Sequence, residues 1–513
     1  MISSIMLHGR TTNSPRELVK NKIVYAMSSA TCWACQENNN TNNAYNVQAS
    51  GSINNNNKSN NSYAVRAACA YSKIEKEGWT DAYFNCIRKK KSSPQCEEYR
   101  LKNYGVDLWK LMYEVHERQY VPSTSTCFVV TRPKIREVFA AAFRDRIVQH
   151  WIVLRIEPLL EQRFLAVGDV SFNCRKGYGT QRAVSTLRKH IDEVTQGGRR
   201  EAWIGRYDIR SFFNTINKRI LLQHISHHID LHYHGDDKDT LQYLLAVTIL
   251  HCPQKDCRLN SSPELYELVP RHKKLLYNDD DTGMPIGNIT SQVLANYILS
   301  FLDEVILDTC KGSTTRYIRF ADDFVVVSTS KEIILHIRNL SDKFLSEHLN
   351  QRLHPEKKYL QRASSSMKFV GYVLCHGRLY IDNKIVGSLT SRCYQLESIS
   401  REIVTNGVTL RLLRALERVA TSINSYLGYT KLTSSYAIRS RLFMQKHWMW
   451  KTCFVKSSCS ILKVKSKYHP KEYLYHETKK CRKTVAGSET VLLRSTLRHH
   501  QLRHRRSCRR VRV

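Results

Sequence analysis

Two β-rich runs, Arg316-Tyr317-Ile318-Arg319 and Phe324-Val325-Val326-Val327, flank Phe320-Ala321-Asp322-Asp323. Branched and aromatic residues on both sides of a tight polar turn predict a hairpin that carries two carboxylates at its tip. The apolar stretch Ala202-Trp203-Ile204-Gly205 runs into Arg206-Tyr207-Asp208-Ile209-Arg210-Ser211-Phe212-Phe213. This predicts a strand ending near Asp208 and a helix opening at Phe213. Gly283-Met284-Pro285-Ile286-Gly287-Asn288-Ile289-Thr290-Ser291-Gln292 then leads into Val293-Leu294-Ala295-Asn296-Tyr297-Ile298-Leu299, a glycine-containing loop entering a helix whose apolar side can pack on a sheet. Upstream, a helical pattern begins near Tyr71 and continues through Trp109-Lys110-Leu111-Met112, while His224 to Asp281 is a polar, histidine-rich excursion.

The chemistry lies in the carboxylates. Asp-Asp is an ordinary turn dipeptide, but a third carboxylate, Asp208, stands at the end of a separate strand. Nucleotidyl transfer needs carboxylates from separate segments to hold two Mg²⁺ ions roughly 3.5–4 Å apart, one activating a 3′-hydroxyl and one neutralising the leaving pyrophosphate. Asp208, Asp322 and Asp323 supply that set. His227, His228, His232 and His234 in the excursion are a second group of potential ligands, or solvated helix ends and loops.

Taken in order, the three segments resemble the A, B and C motifs of reverse transcriptases. The resemblance implies an α+β right-hand polymerase of fingers, palm and thumb, with an antiparallel palm sheet backed by helices. It implies that Asp208 and Asp322 bind two Mg²⁺ ions, or Mn²⁺ in their place, with Asp323 in support and the Ile209 carbonyl joining the coordination. Phe213 matches the aromatic gate against a ribose 2′-hydroxyl, or is a core phenylalanine. The likeness extends to Cys127–Phe139 and Phe143–His150 in the fingers. The basic, glycine-containing Phe172–Thr180 makes Arg175 and Lys176 candidates for the incoming triphosphate, or part of a solvated basic turn. Leu353-His354-Pro355-Glu356-Lys357 is similar to motif D, whose lysine protonates pyrophosphate; Lys358 is the rival position. Met367-Lys368-Phe369-Val370-Gly371-Tyr372 resembles the primer-gripping hairpin, and Ser425-Tyr426-Leu427-Gly428-Tyr429 the thumb.

Most of the family has glutamine before the motif B glycine and Ser-Pro at its end, whereas this chain has Ile286-Gly287 and Ser291-Gln292. That pattern is similar to the enzymes of diversity-generating retroelements, which misincorporate opposite template adenines. Ile286, Gly287 and Gln292 would then contact template base and nucleotide, or Ile286 and Gln292 are packing residues. The implied partners are template RNA, cDNA, dNTPs and a small basic accessory protein. The rival polymerase is a group II intron or retron reverse transcriptase, and a rival of another class is a silent RNA-binding maturase.

Composition narrows the partners. With 80 Lys+Arg against 45 Asp+Glu, the net charge of +35 favours a polyanion. A run of about 18 apolar residues, which a membrane span needs, is absent, so the expectation is a cytoplasmic chain with no membrane partner. The 16 cysteines lack paired zinc-site spacing, so reduced thiols and no structural zinc are expected. The organisation read from the sequence is an asparagine-rich 1–70, helices and fingers 71–205, palm 206–385 with the excursion at 224–281, helical thumb 386–445 and basic extension 446–513. Twelve asparagines fall in the 24 residues from 38 to 61, a composition that builds no core. It reads either as a disordered linker or as a template repeat translated as protein, because asparagine codons are adenine-rich.

Overall fold

The computed structural model describes residues 77–88, 104–132, 134–375, 378–455, 459–470 and 472–474. It also describes Cys96, Glu97, Tyr99 and the antiparallel pairing of Asn46–Val47 with Ile53–Asn54. The rest of the asparagine-rich segment and the basic tail beyond 474, including any reading of them as template repeat or RNA-binding arm, lie outside the described residues. The chain divides into two compact units, 1–362 and 363–513.

In the first unit, helices α1 (Trp79–Ile87) and α2 (Tyr104–His116) precede strands β1 (Ser125–Val130) and β2 (Arg136–Ala140). Helix α3 (Phe143–Val167) buries Ile147, Trp151, Ile152, Ile156 and Leu160, a stripe at helical spacing. Trp151 stacks on Trp79 with centroids 5.3 Å apart. Helix α4 (Thr180–Thr195) then leads to β3 (Trp203–Ile209), the short α5 (Phe212–Thr215), α6 (Lys218–His232) and α7 (Lys238–Leu250). After these come β4 (Cys257–Leu259), α8 (Pro263–Glu267), α9 (Ile289–Ile298), α10 (Ser300–Cys310), β5 (Arg316–Phe320), β6 (Asp323–Ser328), α11 (Lys331–His348) and β7 (Leu353–Arg362).

Four strands form an antiparallel sheet in the order β5-β6-β3-β7. Strand β6 is buried along its whole length after Asp323, so its apolar run is continuous rather than alternating. One large core joins this sheet to α3, α6, α7, α9 and α10 through Tyr207, Phe324, Val326, Leu294, Ile298 and Leu302. A second sheet, β2-β1-β4, pairs β1 antiparallel with β2 and parallel with β4. The fold is therefore the antiparallel sheet backed by helices that the sequence predicts.

The excursion between Asp208 and Gly283 is more built than its polarity suggests. Helix α6 buries Leu221, Ile225 and Ile229, and β4 completes the second sheet. His228 is half-buried, its ring 5.5 Å from Tyr297 and 4.6 Å from His232. Burial first, and then the neighbouring His232 and Arg163, push His228 down to about 4; burial pushes His190 down to about 4 as well. Between that value and the ordinary range near 6.5, the unfolded chain takes up protons that the folded chain refuses. The stability these groups contribute is therefore present above about pH 6.5 and lost as pH falls toward 4, on the order of 1 kcal/mol for each histidine. Urea midpoints at pH 7.5 and 5.0 should show a drop that His228→Phe reduces; an equal drop in the variant would disprove the assignment.

The second unit begins with a three-stranded antiparallel sheet, β8 (Met367–Phe369), β9 (Tyr372–Cys375) and β10 (Arg378–Ile381). Helices α12 (Asn383–Asn406), α13 (Leu410–Tyr429), α14 (Tyr436–Met444) and α15 (Met449–Thr452) follow, then the hairpin β11 (Cys453–Val455) and β12 (Leu462–Val464). Leu389, Leu396, Leu416 and Ile423 share a core with Phe443, Met449, Cys453 and Leu462. This unit starts at 363 and its core runs to 462.

Candidate active site

The site is assembled at one end of the β5-β6-β3-β7 sheet. Asp208 on β3 is directly paired with Asp323, the first residue of β6, and Phe320 pairs with Asp323 on the other side. Asp322 occupies the β5–β6 turn, which Ala321 closes with a left-handed φ of 57°. That conformation is uncommon for a residue with a side chain and needs surrounding contacts to hold it.

The register between β3 and β7 breaks at Asp208: Tyr207 pairs with Lys358 and Ile209 with Leu353. The surplus residues of β7 bulge at this point, and bulges re-aim side chains beside functional sites. Here the bulge carries Lys357 to Asp208, with Nζ donating to Oδ2 at 2.7 Å. Lys358, the rival position in the sequence, faces Asp342 at 3.6 Å instead. Arg206 lies two residues before Asp208, on the same face of β3. Its Nη2 donates to both oxygens of Asp323, at 3.1 and 3.0 Å. Burial, followed by the like charges of Asp208 and Asp323, pushes Asp322 up to about 6.

Among the described residues, no three His, Cys, Asp or Glu side chains are gathered into a group that could hold a metal ion. Arg206 engages Asp323 and Lys357 engages Asp208, so these cations supply countercharge at this sheet end. Burial first, and then its anionic neighbours, leave Asp322 raised. Carboxylate oxygens are ligands that suit hard divalent cations, and here two of the three carboxylates are held by Arg206 and Lys357 instead.

The other expected residues are distributed as follows. Ile209 is buried in the core at the end of β3. Phe213 is half-buried, edge-on to Phe212 at 5.4 Å, and its carbonyl accepts the Met284 N–H at 2.7 Å, while Phe212 takes the core position. The Ile286 carbonyl accepts the Phe139 N–H of β2 at 2.8 Å. Gly287 has φ 125°, and a Cβ there would lie 2.7 Å from the Phe139 carbonyl oxygen, so the close approach at this glycine is to β2. Gln292 is exposed on α9, and its Oε1 accepts from the Cys174 thiol at 3.7 Å.

Arg175 departs from its expected role. Its side chain is 1% exposed, paired with Glu161 at 2.6 Å and Asp169 at 2.8 Å. It also donates to the Ser171 carbonyl and stacks 3.8 Å above Tyr178. A guanidinium this fully engaged anchors its own loop, so the structure corrects the assignment of Arg175 to the triphosphate. Lys176 is exposed and paired with Glu157.

Sequence reasoning missed Arg206 and the buried network around Arg319. A signal existed for each. Arg206 and Asp208, and likewise Tyr317 and Arg319, are spaced by two and therefore share a strand face.

An antiparallel sheet with three carboxylates at one end, backed by helices, is the palm of a right-hand polymerase. Residues 131–374 match the family model of the reverse transcriptases, described as RNA-dependent DNA polymerases. The chain is 22% identical over 303 residues to protein YkfC of Escherichia coli strain K12, covering 53% of this chain and 70% of that protein. It is 23% identical over 301 residues to the group II intron-encoded protein LtrA of Lactococcus lactis subsp. cremoris, covering 51% of this chain and 49% of that protein. The chain thus spans about half the length of LtrA. Among solved structures, apo telomerase from Candida tropicalis aligns with a TM-score of 0.39 at 12% identity, covering 64% of this chain and 60% of that one. No helix among the described residues is long and apolar enough to cross a membrane.

Proposed function

We propose that the chain copies a template RNA into cDNA from dNTPs. The observation that carries this reading is the pairing of Asp208 with Asp323, beside Asp322 at the β5–β6 turn, within the segment that matches reverse transcriptases. Asp208, Asp322 and Asp323 would hold two Mg²⁺ ions, or Mn²⁺. When bound, such ions activate the 3′-hydroxyl and stabilise the pyrophosphate leaving group. Lys357, whose ammonium reaches the carboxylate of Asp208, would give a proton to departing pyrophosphate. Phe213 borders the sugar of the incoming nucleotide, and the net charge of +35 favours a nucleic-acid duplex. The direct test is extension of a primer on RNA with Mg²⁺ and dNTPs. No cDNA from folded full-length protein, with and without co-expressed neighbouring proteins, would refute the reading.

The finer version is mutagenic copying in a diversity-generating retroelement, working with a small basic accessory protein. Ile286 and Gln292, at positions where the family more often has Gln and Pro, support it. Ile286→Gln is expected to lower misincorporation opposite template adenine, by roughly tenfold or more if contacts worth about 1–3 kcal/mol are restored, and to leave the other three bases less affected. A uniform change across all four bases in sequenced cDNA would return Ile286 to a packing role.

A further inference from the structure

The catalytic turn is held from beneath by one buried cation. Arg319, three residues before Asp322, has a side chain that is 0% exposed, and its partner Asp303 on α10 is 2% exposed. Its Nε and Nη2 donate to the two oxygens of Asp303 at 2.7 and 2.6 Å. Its Nη1 donates to Asn296 Oδ1 at 2.9 Å and to the Ala321 carbonyl at 3.0 Å, and Nη2 reaches the Asn296 carbonyl at 3.3 Å. A guanidinium has five N–H donors, and all five are used. Lysine, with a compact head and three donors, cannot reproduce this fork. One of the five bonds goes to Ala321, the left-handed residue of the Asp322 turn.

Asn296 is the second joint. It is 4% exposed on α9, one helical turn beyond Gln292. While its Oδ1 receives Arg319, its Nδ2 donates to the Asn173 carbonyl at 3.1 Å and to Ser171 Oγ at 3.4 Å. The same loop is laced to β5 by backbone: Arg319 N–H donates to the Val170 carbonyl at 2.8 Å and Phe172 N–H to the Arg319 carbonyl at 3.0 Å. Cys174 of this loop reaches Gln292. One amide side chain therefore has a limb toward the Asp322 turn and a limb toward the loop beside Gln292.

We propose that Asn296 is a positioning residue with two limbs, one that seats the nucleotide through loop 171–176 and helix α9 and one that places the Asp322 turn through Arg319. This rests on the reading of the chain as an RNA-templated polymerase. The two limbs separate by substitution. Asn296→Asp keeps an oxygen for Arg319 and replaces the donor toward Asn173 with a repelling acceptor. It should raise the dNTP KM about tenfold and lower kcat no more than about threefold. Arg319→Lys loses the Ala321 limb and should lower kcat about a hundredfold, the scale on which small misplacements at a reacting centre act, with KM changed less than about threefold. Ser171→Ala, which removes only one acceptor of Nδ2, should raise KM about threefold, and it serves as the second KM variant should Asn296→Asp fail to fold. Thermal melts establish that each variant is folded, and primer extension on RNA measures the constants. If folded Asn296→Asp and Ser171→Ala keep the wild-type KM, or if the variants lose kcat and KM in one common proportion, the network is only a fold anchor and the proposal is overturned. Wild-type protein that fails to extend any primer would instead overturn the polymerase reading itself.

Discussion

Asp208→Ala and Asp322→Ala are each expected to reduce Mg²⁺-dependent extension on an RNA template at least a hundredfold, the scale on which a single transition-state electrostatic group is felt. RNA binding should survive in both, because it depends on a net charge of +35 spread over the chain rather than on two acidic groups. Stability should move the other way for Asp322. Its carboxylate is crowded by Asp208 and Asp323 and is pushed up to about 6 by burial and these like charges. An amide at this position removes the repulsion, so Asp322→Asn should melt at or above the wild-type temperature while being inactive, the usual opposition between function and stability at a charged site. Asp323→Asn should cost less activity, since Asp323 already spends both oxygens on Arg206. Extension within tenfold of wild type for either alanine variant, measured on folded protein, would remove the assignment. A lowered melting temperature for Asp322→Asn would show that the carboxylate has a stabilising partner.

The carboxylates were legible in the sequence because their signals are local. A strand ending in Asp208 and a hairpin with Asp322 and Asp323 at its tip follow from short runs of β-branched and aromatic residues. The strand face that Arg319 shares with Tyr317 was legible, but its burial was not, because charged residues are rarely buried and its partner Asp303 comes from a different element. Only the packing of α10 against β5 reveals that the two satisfy one another. Arg175 was read as a phosphate ligand for the same reason in reverse: a basic loop with glycines has the right composition. Its charge is claimed by Glu161 of α3 and by Asp169, contacts that exist only once α3 and the loop have docked. The excursion from 224 to 281 was read as polar and histidine-rich, its histidines as ligands or as solvated helix ends and loops. Its apolar minority nevertheless puts Ile225 and Ile229 on one helix face, in line with Leu221 just ahead of the excursion, which is enough to seat α6 in the core.

Gly287→Ala is expected to destabilise the first unit by roughly 2–4 kcal/mol, combining a strained backbone with an overpacked contact. The φ of 125° is one that residues with a side chain rarely adopt, and the added methyl would meet the Phe139 carbonyl at 2.7 Å and Val138 Cγ1 at 3.0 Å. A backbone carbonyl in a paired strand has nowhere to swing, because β2 is held in register by β1 and its Phe139 N–H is bonded to the Ile286 carbonyl. Gly179 separates the two costs: its φ is 138°, yet nothing lies within 4 Å of its Cβ position. Gly179→Ala should therefore lose only the backbone contribution, about 1–2 kcal/mol, and urea unfolding of the two variants measures the difference. Extension activity should fall in Gly287→Ala more than the loss of folded protein accounts for, since Ile286 and Gln292 are carried by the same loop and helix. If Gly287→Ala unfolds at the wild-type urea midpoint and alters only nucleotide KM or the error spectrum, then the contact that matters at this glycine is the one with template base and nucleotide that the family resemblance implies, and not that with β2.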